Sequence, residues 1–171
     1  LREMQGIWEA GKKLSLRDLT GQPRNLITWI DADNDGVVDS GEQMAFSSAN
    51  AATLAPYLRA NATGVYTAAN IISFVHGNHI TDMRDRRVTV GSSQHVWRLG
   101  DVVNSTPTVV GAPRERFDIL YGDQGYAKFA SRWRNRRMVA YAGANDGMLH
   151  AFNVGFYHRG DDPSTSGVTE H

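Results

Sequence analysis

The sequence predicts an α+β fold, with a mixed N-terminal region and a β-rich C-terminal region. Apolar residues recur three and four positions apart over residues 67–77, which predicts a helix ending at Gly77. An acidic loop of 12 residues, 31–42, precedes this helix and follows a short apolar run. Farther along the chain, three runs rich in β-branched and aromatic residues predict strands at 106–110, 138–142 and 148–152.

The N-terminal region is predicted to contain short elements. An amphipathic piece at residues 7–14 is expected to be cut short by Gly11. The run at 26–30 predicts a strand that leads directly into the acidic loop. Residues 41–46 are read as a helix start after the loop, and a second helix start follows in the small-residue segment 47–54.

Residues 78–95 are polar and charged, which favours a connector. In the C-terminal region, Asn145-Asp146-Gly147 lies between the last two strand patterns and predicts a hairpin turn. The tail is rich in Asp, Pro, Ser, Thr and Gly and is expected to be a loop or disordered. The predicted domains are 1–95, 96–156 and 157–171.

Composition restricts the function. The 171 residues include 18 Lys and Arg, 18 Asp and Glu and no cysteine. The absence of cysteine excludes disulfides, zinc–thiolate sites and thiol catalysis. A net charge of zero argues against a dedicated nucleic-acid binder. No stretch approaches the about 20 apolar residues of a membrane span. Since the chain begins with Leu1, we expect a fragment of a longer protein.

The acidic loop matches the EF-hand calcium pattern D-x-[DN]-x-[DN]-G-x5-E. Ca²⁺ prefers six to eight oxygen ligands, which such a loop supplies from positions 1, 3, 5, 7, 9 and 12. Position 7 contributes its backbone carbonyl, and position 9 acts directly or through a water. The predicted Ca²⁺ ligands are therefore Asp31, Asp33, Asp35, Val37, Asp39 and Glu42.

Other features of the loop refine this prediction. Gly36 falls at position 6, where the chain must turn sharply. Val38, at position 8, is expected to tether the loop to the core. The entering segment looks like a strand and a second hand is absent. We therefore expect a structural or extracellular calcium clip rather than a cytosolic switch.

Two motifs in the C-terminal region resemble one blade of a quinoprotein-type β-propeller. The first is Ser105-Thr106-Pro107 at a strand start, and the second runs from Tyr141 through Asp146-Gly147 to Phe152. A propeller has typically four to eight blades, so the resemblance implies that further blades lie outside this chain.

Together, these features resemble the PilY/PilC family, the tip-associated adhesin and biogenesis proteins of type IV pili. The most specific segments are 97–107, WRLGDVVNSTP, and 141–152, YAGANDGMLHAF; residues 8–14 and 24–29 also match. The resemblance implies a non-enzymatic protein exported to the cell surface, the outer membrane or the pilus tip. It implies roles in pilus extension, retraction and adhesion. The implied partners are pilin or minor pilins and host-surface receptors.

Two other functions remain open. A propeller-type quinoprotein dehydrogenase also uses calcium and similar blades, but its ion lies on the propeller axis, whereas this loop precedes the first blade. A dockerin-like assembly module would carry a duplicated loop, and this sequence has one.

Weaker candidates have simpler explanations. Arg159-Gly160-Asp161 is an RGD tripeptide that integrin-type receptors read, and we interpret it as a surface loop. The arginine cluster at 132–137 is interpreted as a solvated loop rather than a polyanion site. His76 and His79 are separated by Gly77 and are not expected to bind a metal together. His150 is assigned to propeller surface or packing, and Asp101 and Asp146 to loop and turn positions.

Overall fold

The computed structural model describes residues 8–155, which belong to two compact units. The loop unit is Gly11–Arg98 and contains the acidic loop. The sheet unit comprises residues 8–10 and 99–155. The predicted tail and the RGD tripeptide lie outside the described residues. Over residues 8–155, no helix has the length and apolar character needed to cross a membrane.

The first helix, α1, spans Ala10–Leu16. The prediction that Gly11 would end this segment is therefore wrong. Gly11 and Ser15 are both buried and lie four residues apart, on one face of the helix. A glycine in a helix costs about 1 kcal/mol relative to alanine, and burial of this face offsets that cost.

The acidic loop connects two antiparallel strands, β1 (Ile27–Trp29) and β2 (Gln43–Ala45). The strand before the loop is confirmed, whereas the helix predicted to begin at 41–46 is wrong. Backbone pairing explains the difference, since Thr28 lies opposite Met44 and the ladder continues when Phe46 N–H donates to Leu26 O at 2.9 Å. These long-range hydrogen bonds override the local helical pattern.

Helices supply the small core of the loop unit. A 3₁₀ turn (Ser48–Asn50) leads into α2 (Ala51–Leu54), and α3 spans Ala68–His76. Leu54, Ala68 and Ile72 are buried. The Thr67 side chain accepts a hydrogen bond from Asn70 N–H at the start of α3, and Gly77 ends it at φ 109°. The predicted helix and its glycine stop are confirmed.

A hairpin occupies the second half of the segment that was predicted to be a connector. Strands β3 (Arg87–Val90) and β4 (Ser93–Val96) pair antiparallel across Gly91-Ser92, and Gly91 has a φ of 65°. The connector prediction is therefore wrong over these residues. The missed signal was a β-branched alternation that ends at a glycine turn.

Arg98 joins two helix ends within the loop unit. Its Nη1 donates to the carbonyl oxygens of Leu14, Ser15 and Arg17 at 2.7–3.0 Å. Its Nε donates to Gly77 O at 3.3 Å. Burial and the nearby Arg17 lower the pKa of Arg98. The guanidinium thus satisfies carbonyls at the C-terminal ends of α1 and α3, where a cation is favoured.

The sheet unit contains a three-stranded antiparallel meander of β5 (Thr108–Val110), β6 (Met138–Gly143) and β7 (Leu149–Gly155). All three predicted strands are confirmed. Gly147 N–H donates to Ala144 O, Ala144 N–H donates to Met148 O, and Gly147 has a φ of 78°. The predicted Asp-Gly hairpin is thus a three-residue loop with its glycine in the left-handed region.

The side chains of Ser105 and Asp146 hold the segment before β5 against the β6–β7 hairpin. Ser105 Oγ accepts from Gly143 N–H at 3.0 Å, which places the Ser-Thr-Pro segment beside β6. Asp146 accepts from Gly100 N–H at 3.0 Å and Met148 N–H at 3.1 Å, and its Oδ2 lies 2.9 Å from His150 Nε2. His150 is buried. A Cβ at Gly100 would lie 2.8 Å from Asp146 Cγ, so only glycine fits there.

An insertion of residues 111–137 separates β5 from β6. It contains two helices, α4 (Phe117–Leu120) and α5 (Gln124–Arg132). The interpretation of 132–137 as a solvated loop needs correction at two positions. Arg132 ends α5, and the half-buried Arg136 donates to Gly111 O.

Candidate metal site

The β1–β2 hairpin holds the acidic loop at its tip. Ile30 N–H donates to Glu42 O at 3.1 Å, which closes the loop directly beyond the last paired residues. The loop is largely exposed, and only Asp31 and Glu42 are half-buried. A strand–loop–strand arrangement therefore presents the twelve residues, as the entering strand suggested.

The loop winds around Asp31. Its Oδ1 accepts from Asp35 N–H at 3.1 Å, and its Oδ2 accepts from Gly36 N–H at 2.9 Å. Asn34 and Gly36 take left-handed conformations, with φ of 60° and 78°. Gly36 is the predicted turning point, and a side chain there would be strained. These turns direct the first half of the loop back over its own start.

This winding brings three carboxylates together. One oxygen from each of Asp31, Asp33 and Asp35 lies within 4.8 Å of the other two. Two oxygens on opposite sides of Ca²⁺, each at about 2.3–2.6 Å, would be roughly 4.6–5.2 Å apart. All three oxygens can therefore reach one ion. Without a cation, each pair repels by about 1 kcal/mol even at the dielectric constant of water. The donor set fits a hard divalent cation.

The other predicted ligands have different positions. Glu42 Oε1 accepts from Ala32 N–H at 2.7 Å, and its Oε2 accepts from Asp39 N–H at 2.9 Å. Glu42 thus closes the loop through backbone hydrogen bonds, and neither it nor Asp39 belongs to the three-carboxylate cluster. Val37 N–H donates to Asp35 Oδ1 at 2.7 Å. This hydrogen bond connects the carboxylate cluster to Val37, whose backbone carbonyl is a predicted ligand.

Val38 does not tether the loop. Its exposed fraction is 39%, and that of Val37 is 57%. The loop is instead held by its own hydrogen bonds and by the two strands. The position 8 prediction is therefore wrong, since Val38 is exposed and not buried in a core.

The remaining candidates have local partners. His76 Nε2 hydrogen bonds Phe46 O, and the ring stacks on Phe46. His79 Nδ1 lies 3.9 Å from Asp85. Asp101 O accepts from Asn145 N–H at 2.9 Å. These contacts give each histidine a local partner, and Asp101 contacts Asn145 through its backbone carbonyl. The contacts of Asp146 with Gly100 and His150 were not predicted, because they join positions 46 and four residues apart.

Several curated proteins are similar to this chain in sequence. A type IV pilus biogenesis factor PilY1 homolog from Xylella fastidiosa is 38% identical over 121 residues, which cover 66% of this chain and 10% of that protein. PilY1 from Pseudomonas aeruginosa strain PA14 is 36% identical over 92 residues, 50% of this chain and 7% of the relative. PilY1 of strain PAK is 32% identical over 86 residues.

No family model and no solved structure matches the chain. The chain spans about a tenth or less of the length of the curated relatives that it matches. The relatives are nevertheless members of one family, and it is the family that the two specific segments resembled. This chain therefore belongs to the PilY1 family of type IV pilus biogenesis factors.

Proposed function

We propose that this chain is a calcium-binding part of a surface-exposed type IV pilus protein. Calcium binding at residues 31–42 is the central element. The observation that carries it is the convergence of Asp31, Asp33 and Asp35 within 4.8 Å. Val37 supplies its carbonyl and Asp39 a direct or water-mediated ligand. Glu42 joins the site by exchanging its hydrogen bonds to the backbone for the ion.

The pilus role rests on the names of the relatives, which are type IV pilus biogenesis factors. The protein acts in pilus extension, retraction and adhesion, without a catalytic role. Its partners are pilin or minor pilins, and host-surface receptors where it adheres. Calcium occupancy stiffens the β1–β2 hairpin and so acts on whether pili stay extended.

Calorimetric titration of the chain with Ca²⁺ tests the binding step. We expect one ion per chain and much weaker binding of Mg²⁺, which demands near-ideal octahedral geometry and keeps several waters. Absence of heat and of any Ca²⁺-induced change in Trp29 fluorescence would rule the site out. The pilus role has a separate readout. Asp31→Ala in the full-length protein should alter the amount of surface pili while leaving its export unchanged.

We further propose that the sheet unit forms part of a first propeller blade. Support comes from the β5–β6–β7 meander and from Val109 and Leu149, which are 59% and 71% exposed. Three strands leave two open edges and uncovered faces.

Residues 96–156 expressed alone should therefore not fold independently. Only Ala142 and His150 are buried among the described residues of this stretch, which is too little to offset the cost of ordering the backbone. We expect a urea titration followed by circular dichroism to show no cooperative transition. A soluble monomer with a sigmoidal unfolding curve would refute the blade assignment.

A further inference from the structure

The 111–137 insertion carries a continuous row of aromatic side chains. The ring of Phe117 lies 5.8 Å from that of Tyr121 and 5.2 Å from that of Tyr126, which lies 5.9 Å from that of Phe129. Trp133 follows Phe129 by four residues, at the end of α5, and so lies on the same side of that helix. The row therefore extends from α4 to the end of α5.

The tip of this row is unusually exposed. Ile119, Leu120 and Tyr121 are consecutive, and their exposed fractions are 64%, 65% and 79%. Phe117, Phe129 and Trp133 are also exposed. Exposed apolar residues scattered singly are normal, but a contiguous patch marks an interaction site. Burial of this tip needs an apolar phase or an apolar partner.

The same insertion is strongly basic. It contains seven basic and three acidic residues, a net charge of +4, although the whole chain has a net charge of zero. Arg132 and Arg136 lie within 6 Å of the Trp133 ring, at 5.3 and 5.9 Å. Arg134 and Arg137 are exposed. Among the described residues, no carboxylate forms an ion pair with any arginine of the insertion.

The acidic residues of the insertion do not neutralise this surface. Glu115 Oε2 accepts from Tyr126 O–H at 2.9 Å and from Arg114 N–H at 3.0 Å. The Arg114 backbone N–H and the Tyr126 hydroxyl lower the pKa of Glu115. Asp123 caps α5 through Tyr126 N–H. Two of the three carboxylates thus accept hydrogen bonds from within the insertion. Arg134 and Arg137 are exposed, whereas Arg136 donates to Gly111 O.

We propose that the insertion docks on an anionic lipid surface. The tip 119–121 enters the boundary between headgroups and acyl chains, the aromatic row lies at headgroup level, and the arginines contact lipid phosphates. This combination of exposed aliphatic, aromatic and basic side chains is typical of interfacial membrane binding. A soluble polyanion would use the arginines but leave Ile119 and Leu120 in water, so the apolar tip favours the lipid surface.

Vesicle co-sedimentation with the whole chain tests the proposal. We expect binding to phosphatidylcholine vesicles that contain about a third phosphatidylglycerol, and little binding to phosphatidylcholine alone. Raising the salt to about 1 M should weaken binding, because the Debye length falls to about 3 Å. Arg134→Ala with Arg137→Ala should weaken it about 25-fold, or fivefold for each cation. Ile119→Ser with Leu120→Ser should weaken it at least about tenfold.

Matched controls distinguish the proposed lipid-binding surface from a general effect of removing exposed charge or apolar side chains. Lys13→Ala with Arg84→Ala removes two exposed cations of the loop unit, and Val103→Ser with Leu149→Ser removes two exposed apolar side chains of the sheet unit. Both should bind like the wild type. Tyr121→Ser gives a second tip variant if the double variant does not fold, as judged by its urea midpoint.

Three results would overturn the proposal. The first is no binding to anionic vesicles at low salt. The second is a binding loss in the arginine variant alone, with heparin competing fully, which would identify a polyanion site. The third is a change of oligomeric state, rather than of vesicle binding, in the tip variants, which would show that the tip packs on a second copy of the chain.

Discussion

Arg98→Met is expected to lower the free energy of unfolding of the loop unit by about 3 kcal/mol. The guanidinium donates to three carbonyls of α1 and its exit, and to Gly77 O at the end of α3. Methionine retains most of the aliphatic stem but provides no donor. Three of these four hydrogen bonds are partly buried, and each carbonyl loses a charge-assisted bond worth roughly 1.5–3 kcal/mol, which water replaces only in part.

Urea denaturation followed by Trp29 and Trp97 fluorescence measures this effect. Arg98→Lys should give an intermediate loss, because an ammonium group is a point charge and lacks the planar fork that reaches several carbonyls. Arg84→Met removes an exposed arginine of the same unit and should change stability by no more than about 0.5 kcal/mol. A loss below about 1 kcal/mol in Arg98→Met would show that the carbonyls are hydrated equally well without it.

Gly77→Ala disturbs the same set of Arg98 contacts, at the end of α3. Its added Cβ would lie 2.6 Å from Arg98 Cδ and Nε, at a φ of 109° that L side chains rarely adopt. We expect a loss of about 2 kcal/mol, from backbone strain and from displacement of the guanidinium. Combining it with Arg98→Met should be less than additive, since both changes disturb one set of contacts.

Asp31→Ala is expected to weaken calcium binding about 100-fold, or about 2.7 kcal/mol. The substitution removes a carboxylate from the cluster and also the two acceptors that hold Asp35 N–H and Gly36 N–H. Glu42→Ala should have a similar effect, because it removes the predicted position 12 ligand and opens the link between Ala32 and Asp39.

Calorimetry on the two variants measures the affinity, and a thermal melt measures the linked stability. Ca²⁺ at 100 times its Kd should stabilise the wild-type loop unit by about 2.7 kcal/mol. For a unit of this size, that raises Tm by roughly 10 °C or more relative to a chelated sample. Neither variant should show this rise at the same calcium concentration.

Asp18→Asn is the matched control. Asp18 also accepts two backbone N–H bonds in a tight turn, from Thr20 and Gly21, but lies outside the carboxylate cluster. It should keep the wild-type calcium affinity. Wild-type affinity in Asp31→Ala would remove the basis for the metal site, whichever way the control behaves.

Local sequence was sufficient where one short-range interaction dominates. Thr67 and Gly77 mark the two ends of α3, and Asp146-Gly147 forms the turn of the last hairpin. Both features were predictable because helix capping and left-handed glycine positions are decided within a few residues. Gly36 likewise turns the acidic loop where the pattern required. The predicted ligand types and their spacing, and the resemblance to the PilY family, also came from sequence alone.

Tertiary structure decided what depends on partners far along the chain. The segment after the loop is the strand β2 because β1 pairs with it. Residues 87–96 form a hairpin although their charges favoured a connector, because the antiparallel ladder satisfies their backbone groups. Arg98 reaches carbonyls more than 80 residues away, and the aromatic row of the insertion exists only once α4 and α5 pack together. Such contacts leave no local periodicity, which is the physical reason that only the folded chain reveals them.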